Sequence, residues 1–392
     1  MRYVHHDNQQ RLTNSFILDR ITKTMGNLPS LTERIKRMIA LEGPMDIATF
    51  MALALADPEQ GYYMTRDPFG EQGDFTTAPE VSQLFGEILG VWMLHQWHQA
   101  GRPAPFHLVE LGPGRGTLMQ DMVRAISQDQ QARDALILHM VETSPILTRQ
   151  QKKKLALGSS PLNHHASIDT LPNQPLFITA NEFLDALPIH QWIHHKDRWH
   201  ERIIGLDEEG KLAFGLGPTR DIGCLTSPEP PQDGAIWEQN PLGEAICQEL
   251  GTRIAQHGGA ALLIDYGYAK SALGDSLQAL KGHIYANILH DVGDQDLTTH
   301  VNFQIMGEAA SLANKAQDTM QPITTHLINQ GQFLLNLGIL ERAGQLGAGK
   351  THEEQEAIRD AVERLAAPAQ MGDLFKVLAI VPQGIDVPGF SN

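Results

Sequence analysis

Residues 106 to 126 read FHLVELGPGRGTLMQDMVRAI: an apolar run, a loop with glycines at 112, 114 and 116, then apolar residues at helical spacing. This stretch constrains the fold more than any other. A chain that leaves a buried strand through three glycines and enters a helix at once can bring its backbone close to a ligand and aim amide groups at it. The alternation then recurs. LILHMVE (136–142) reads as a second strand before the helical SPILTRQQKKKLAL, and PLFITA (175–180) and GAALLIDYGY (259–268) read as two more strands. Strands separated by helical patterns argue for βαβ units and a mostly parallel sheet with helices on both faces. The expected fold class is α/β and Rossmann-like.

The remaining chain decorates that core. Residues 31–56 carry Ile35, Met38, Ile39, Ile47, Phe50, Met51, Ala54 and Leu55 at helical spacing, interrupted at Glu42-Gly43-Pro44. An irregular Gly-, Pro- and aromatic-rich stretch follows over 57–80. Its end, Thr77-Ala78-Pro79-Glu80, has the form of a capping box opening a helix with Val81, Leu84, Phe85, Ile88, Leu89 and Trp92 on one side. Residues 191–217 read as antiparallel hairpins with a turn at Glu208-Glu209-Gly210, and 243–258 as a helix ending at Gly258. Residues 303–366 read as mainly helical, and LFKVLAIVP (374–382) as a late strand. The expected organisation is a tail over 1–30, an N-terminal helical and lid region over 31–105, and a core domain over 106–392 with an insertion at about 189–257.

Composition removes several function classes. Among 392 residues, 30 are basic and 46 acidic, for a net charge of -16. Nucleic acid needs a basic face, so it is not an expected partner. No apolar run approaches the roughly 20 residues of a membrane span, and MRYVHHDNQQRLTNSFILDR lacks the apolar core of a secretory signal. Two cysteines, Cys224 and Cys247, form no CxxC pair and point to a reducing compartment. There are 18 histidines, with pairs at His5/His6, His164/His165 and His194/His195, but no HExxH and no cysteine-rich spacing, so no metal site is expected.

The glycine spacing narrows the ligand. A dinucleotide fingerprint is GxGxxG; here it is GxGxG, preceded by Glu110. That arrangement resembles the S-adenosylmethionine (SAM) loop of Rossmann-like methyltransferases. SAM has no pyrophosphate to cradle but carries an ammonium, which an acid near the loop can hold directly or through water. A nucleoside also needs a carboxylate at the end of the second strand for its ribose hydroxyls, and Glu142 stands there. Asp169 lies where such folds often meet the adenine amine, although a turn or helix-cap role is equally open.

GYYM, GDFTTAPEVSQLFGE, VELGPGRGTLMQDM, ANEFLDALPIHQW, LLIDYGY, DLTTHVNF and MGDLFKVL occur in this order. Together they resemble the MidA-like family, over about residues 40 to 382. The resemblance implies a SAM-dependent methyltransferase. The mitochondrial members are protein arginine methyltransferases that form symmetric dimethylarginine on a core subunit of respiratory complex I and serve its assembly. Carried onto this chain, Glu110, Gly112, Gly114 and Gly116 are the cofactor loop, Glu142 is the ribose-side acid, and Asn181 to Pro188 is the substrate-side segment. Val301-Asn302-Phe303 stands where relatives are expected to have Val-Asp-Phe. That leaves Asn302 a hydrogen-bonding role rather than an acidic one.

ANEFLDALP sets Asn181, Glu182 and Asp185 among apolar residues after a strand. In an open parallel sheet, ligands bind beyond the carboxyl ends of the strands, so these side chains share a rim with the glycine loop. Glu182 is the leading candidate to hold a substrate guanidinium, with Asn181 orienting it or meeting the methyl donor. Asp185 is the second candidate, with a turn-capping role open. Tyr62, Tyr63, Asp74, Phe75 and Thr76 suit a lid, or a loop that packs the next helix. Asp265 and Tyr266 belong to the rim by position. His300 enters from the resemblance alone and fits a structural role equally well. The rival readings are a small-molecule methyltransferase, a SAM-binding assembly chaperone that would use the 191–217 hairpins for partner contact, and an NAD oxidoreductase, which the glycine spacing disfavours.

Overall fold

Gly43 and Pro44 split the first helical stretch, since one adds backbone freedom and the other removes an N–H. Helix α1 spans Leu31–Glu42, a two-residue strand β1 spans Met45–Asp46, and α2 spans Ile47–Ala56. Asp46 starts α2 by accepting the Thr49 amide at 2.6 Å. The computed structural model describes residues 29–66, 77–156, 160–222, 230–282, 284–315 and 321–391. Asp74, Phe75 and Thr76, the glycines at 70 and 73, Cys224 and the N-terminal tail up to residue 28 lie outside the described residues.

One turn of helix, α3, covers Tyr62–Thr65; α4 covers Ala78–Val81 and α5 covers Gln83–Gln99. The expected capping box at Thr77 and Glu80 does not form. Thr77 makes no side-chain cap bond, and extended Ser82 breaks the helix and starts α5 with its own hydroxyl. Glu80 instead accepts the Thr117 hydroxyl at 2.6 Å, across the mouth of the glycine loop.

The core alternates as expected: β2 Phe106–Leu111, α6 Thr117–Ile126, α7 Gln130–Ala135, β3 Leu136–Val141, α8 Pro145–Leu155, β4 Leu162–His165 and β5 Leu176–Asn181. The insertion supplies β6 His190–His195, β7 Arg198–Leu206, β8 Leu212–Thr219 and β9 Ile236–Gln239, then α9 Pro241–His257 leads into β10 Gly259–Tyr268. Next come β11 Gln278–Lys281, β12 Ile284–Ala286, β13 Asp296–Thr298, β14 Val301–Asn302 and α10 Phe303–Ser311. The chain closes with β15 Ile323–Asn329, α11 Gln330–Asn336, α12 Ile339–Gly347, α13 His352–Ala366 and β16 Phe375–Pro382.

The main sheet runs β15-β16-β10-β5-β2-β3-β4. The neighbours from β10 to β4 are parallel, while β16 is antiparallel to both β10 and β15. The strand β15 corrects the helical reading of 303–366. Its ITTHLIN is half-buried edge sequence, with too little apolar alternation to stand out between helices. Both faces are covered. Leu108, Phe177, Leu262 and Val377 pack with α5, α6 and the C-terminal helices, and Val109, Ile178, Leu263 and Leu378 pack with α9 and α10. Near-continuous apolar strands are the consequence. Helix α5, which the sequence groups with the N-terminal region, lies in this same core.

A third core joins distant segments. Strand β1 pairs antiparallel with β7 of the insertion, Met45 facing Ile204. Ile35, Phe50, Met51 and Tyr62 pack there with Ile189, Ile204, Leu277 and Leu297. The N-terminal helices and the insertion therefore form one cap beside the rim. Register fixes what that rim carries: Leu111 faces Val141 and Ala180, and Asn181 faces Ile264. Gly112, Glu142, Glu182 and Asp265 follow those residues on adjacent parallel strands.

Candidate functional site

Gly112, Gly114 and Gly116 all take left-handed φ values of 61°, 51° and 78°, which residues with a Cβ rarely adopt. Space is short as well: a Cβ on Gly112 would sit 2.7 Å from the Phe183 ring. Gly116 opens α6 with no side-chain cap, leaving the loop's polar edge to backbone groups. Beneath the loop, Glu110 is buried, and one of its carboxylate oxygens has no hydrogen-bond partner. Burial pushes its carboxyl well above the usual range, opposed by the Met119 amide. An ammonium beside it would draw it back toward the charged form. A small cavity opens between this carboxylate, the loop, Thr77, Glu80, Asn181 and Glu182.

Glu142 follows β3 and is clamped on both oxygens, by the Ser144 amide at 2.7 Å and by the Gln151 amide group at 3.1 Å. Burial raises its carboxyl against those bonds. It lines a second cavity, which opens beside the loop. The two cavities share Thr77, Gly112, Gly114 and Glu182, so they form one cleft. An orphaned acid under a cradle with no room for a Cβ, and a clamped acid one strand away, fit a nucleoside with an amino-acid end. Asp169 does not join them. It is exposed, engages the Ser167 hydroxyl at 2.9 Å, and lines neither cavity.

The far side of the cleft is built by the segment after β5. Glu182 takes a left-handed φ of 50° while its amide donates to the Ile264 carbonyl at 2.9 Å. Asp265 makes this turn possible. One of its oxygens accepts the amides of Phe183, Leu184 and Asp185 at 3.1, 2.9 and 3.1 Å, and the other accepts the Tyr266 amide at 3.0 Å. Asp265 stands at the rim, where its position in the sequence set it, and there it holds the loop.

Each flanking carboxylate keeps one side for the cleft. Glu182 Oε1 accepts the Ala78 amide at 2.9 Å and the Asn181 amide group at 3.1 Å. Asp185 is buried, and its Oδ1 has no partner. Burial pushes Glu182 up to about 7 and Asp185 up to about 6, the Tyr266 hydroxyl pulling Asp185 back. Burial and the charges of Asp185 and Glu182 raise Asp265 as well. Carboxyls this close cannot all ionise without a cation among them.

Two tyrosines complete the wall. Tyr63 donates its hydroxyl to both oxygens of buried Asp296, at 3.0 and 2.9 Å, and Tyr266 borders Asp185; both rings line the cleft. Tyr62, expected beside Tyr63, is fully buried in the cap core instead. Successive residues of a helical turn point about 100° apart, so only one of the pair reaches the cleft. His300 stands edge-on to Tyr266 with ring centres 5.5 Å apart and does not line the cleft; its role is to back that ring. Asn302 caps α10 and exchanges hydrogen bonds with Ser271. Asp296 and Gln151 were not singled out from the sequence. Asp296 opens the DLTTHVNF motif, and that position was its available signal.

Among the described residues, Asp46, His190 and Glu201 bring one potential metal-ligating atom each within 4.8 Å of one another. None of them lines the cleft. Asp46 already caps α2, and His190 meets Glu201 at 2.9 Å.

Comparison with known proteins places this geometry. The sequence profile of a family of S-adenosyl-L-methionine-dependent methyltransferases matches residues 88–322. The mitochondrial protein arginine methyltransferase NDUFAF7 homologue of Drosophila melanogaster is 33% identical over 379 residues, covering 90% of this chain and 85% of that one. The NDUFAF7 protein of Xenopus laevis is 35% identical over 375 residues, covering 87% and 82%. A Burkholderia thailandensis structure bound to S-adenosyl-homocysteine shares the fold, with a TM-score of 0.75 at 23% identity and 92% of each chain covered.

Proposed function

The chain belongs to this family of SAM-dependent methyltransferases, and from that premise we propose that it methylates arginine in a protein substrate. The observation that carries the proposal is the carboxyl cluster. Asp185 has a buried oxygen with no donor, beside Glu182, Asp265 and Asp296. A planar cation with five N–H donors matches such a set better than a neutral nucleophile does. The names of the relatives, protein arginine methyltransferases, support the same reading.

When bound, SAM supplies an electrophilic methyl carbon whose bond to sulfur breaks as the new nitrogen–carbon bond forms. The protein's part is alignment and exclusion of water. Glu110 would take the ammonium of the methyl donor, the glycine loop would supply backbone contacts, and Glu142 would hold the ribose hydroxyls. Glu182 and Asp185 grip the guanidinium between them and draw its charge toward the gripped nitrogens, leaving another nitrogen to face the methyl group. The methylated nitrogen then sheds one proton. Glu182, poised at about 7, accepts it and passes it to solvent. Asp265 acts through the loop it holds, and Tyr63 fixes Asp296 at the far wall.

The finer proposals are a symmetric dimethylarginine product and a respiratory complex I subunit as the protein target. The compartment is the mitochondrial matrix in a eukaryote, in line with the mitochondrial designation of the relatives, or the cytoplasm in a bacterium. The test is to incubate the protein with methyl-labelled SAM and a lysate from cells lacking it, then locate the label by mass spectrometry. Label on an arginine of one or a few proteins is expected. Label on small molecules alone overturns the reading, and SAM binding without any label favours a chaperone.

A further inference from the structure

Gln151 lies on α8, nine residues beyond the ribose-side acid, and is completely buried. Its amide nitrogen donates to the Gly114 carbonyl at 2.7 Å and to Glu142 Oε2 at 3.1 Å. Those two acceptors belong to the two halves of the cofactor site, the glycine loop and the acid after β3. The Gly114 carbonyl can only accept, so the orientation of the Gln151 amide is forced: its NH₂ faces both acceptors and its oxygen faces away. That oxygen meets His164 Nε2 at 3.0 Å. The contact requires the hydrogen of His164 to sit on Nε2, and burial holds this imidazole in the neutral range. Gln151 also packs on the loop itself, with its Cγ 3.5 Å from where a Cβ on Gly116 would stand.

We propose that Gln151 is the positioning residue that locks the glycine loop to the ribose-side acid, and that this link sets the affinity for the methyl donor. The loop alone holds three left-handed glycines, which cost conformational entropy to order. Glu142 alone is a half-buried carboxylate with a choice of rotamers. One side chain that satisfies both removes that freedom before ligand arrives, so binding spends less free energy on ordering. His164 supports the same link from behind by fixing the amide's orientation. The proposal concerns the binding of the methyl donor and rests on no assumption about the methyl acceptor, so its outcome is independent of the arginine reading.

The test is calorimetric binding of S-adenosylhomocysteine to the full chain. Gln151→Met keeps the length and removes both donors. It is expected to weaken binding by about 10- to 100-fold, since the ligand must then order both halves of its site. Gln151→Glu keeps the shape and sets a carboxylate against Glu142. Relative to the wild type, it is expected to bind far more weakly near pH 8 and to recover by roughly tenfold near pH 6, where the two carboxyls share a proton. Recovery on acidification separates positioning from damaged packing, because a merely structural role leaves the ratio of variant to wild-type affinity flat with pH. Turnover at saturating SAM is expected to fall less than about threefold, so the loss appears in KM. Gln151→Met binding within about threefold of the wild type, or a Gln151→Glu affinity ratio that does not move with pH, overturns the proposal.

Discussion

The two sides of the cleft are built on opposite principles. On the proposed cofactor side, Glu142 is clamped through both oxygens and Gln151 bonds to two acceptors, so the ribose-side acid stands in a finished network, while Glu110 beneath the loop keeps one oxygen for the ligand. On the substrate side, Glu182, Asp185, Asp265 and Asp296 crowd together, and Asp185 keeps an oxygen with no donor. The first side is preorganised for a ligand whose hydroxyls donate. The second stores a deficit of positive charge, which burial expresses as raised pKa values. The ribose end of the cleft is complete as it stands; the carboxyl cluster is completed by what it binds.

The comparison can be broken first at the loop. Gly112→Val adds a branched side chain at φ 61°, where a Cβ alone meets Phe183 at 2.7 Å. Binding of S-adenosylhomocysteine is expected to fall by more than about 100-fold, a larger effect than that on the melting temperature, since the strain sits at the half-buried rim of the cleft and not within the sheet. Retained binding would show that the loop is not the cradle.

Asp265→Ala attacks the joint between the sides. It strips the acceptors from four backbone amides. The expected cost is several kcal/mol, since each unmet buried donor costs about 1–3. A clear fall in melting temperature and loss of methyl transfer should appear together. A fall in activity with no change in melting would make Asp265 a direct substrate ligand instead.

Acidity probes the substrate side alone. Guanidinium binding needs ionised carboxylates, and Glu182 and Asp185 sit at about 7 and about 6. At saturating SAM, kcat/KM for the protein substrate should hold steady above about pH 7.5 and fall by roughly tenfold per unit through pH 6. A flat profile across that window would contradict the cation-binding role of the pair.

The smallest effect lies in the sheet beneath the cofactor side. His107, His139 and His165 form a chain of hydrogen bonds of 2.9 Å each. Burial and the two neighbouring imidazoles lower His139 from 6.5 to about 4. The folded state therefore holds it neutral. Its contribution to stability is complete above pH 6.5 and is lost as pH falls from 6.5 toward 4, where the unfolded chain gains the proton first. Melting temperature should drop across that window in the wild type and drop less in His139→Leu.

The same contrast governs what the sequence reveals. The cofactor side is local: Glu110, the glycines, α6 and Glu142 fall within one stretch of alternating pattern, so period and spacing expose them. Gln151 escaped because a polar residue in a helix with three successive lysines carries no mark of burial. The substrate side draws on α3, the segment after β5, the end of β10 and the start of β13. Only the sheet register and the cap core bring these together, and neither is written in local spacing. Asp265 shows the limit well: its place at a strand end was legible, but its role depends on a left-handed Glu182 that no propensity suggests. Tyr62 and Tyr63, adjacent and alike, part ways for want of a visible helical turn. The strand over Ile323–Asn329 was hidden in the same manner, as an edge whose partner lies about fifty residues further along the chain.

The central claim is that the carboxylates beyond the methyl donor are a cation site with its own function. It is tested most directly by measuring, on one preparation each of wild type, Glu182→Gln and Asp185→Asn, both S-adenosylhomocysteine affinity by calorimetry and methyl transfer to protein arginine by mass spectrometry. Affinities within about threefold of the wild type, and transfer reduced by about 100-fold or more, are expected in both variants. Full-rate transfer in either variant with normal cofactor binding would contradict it.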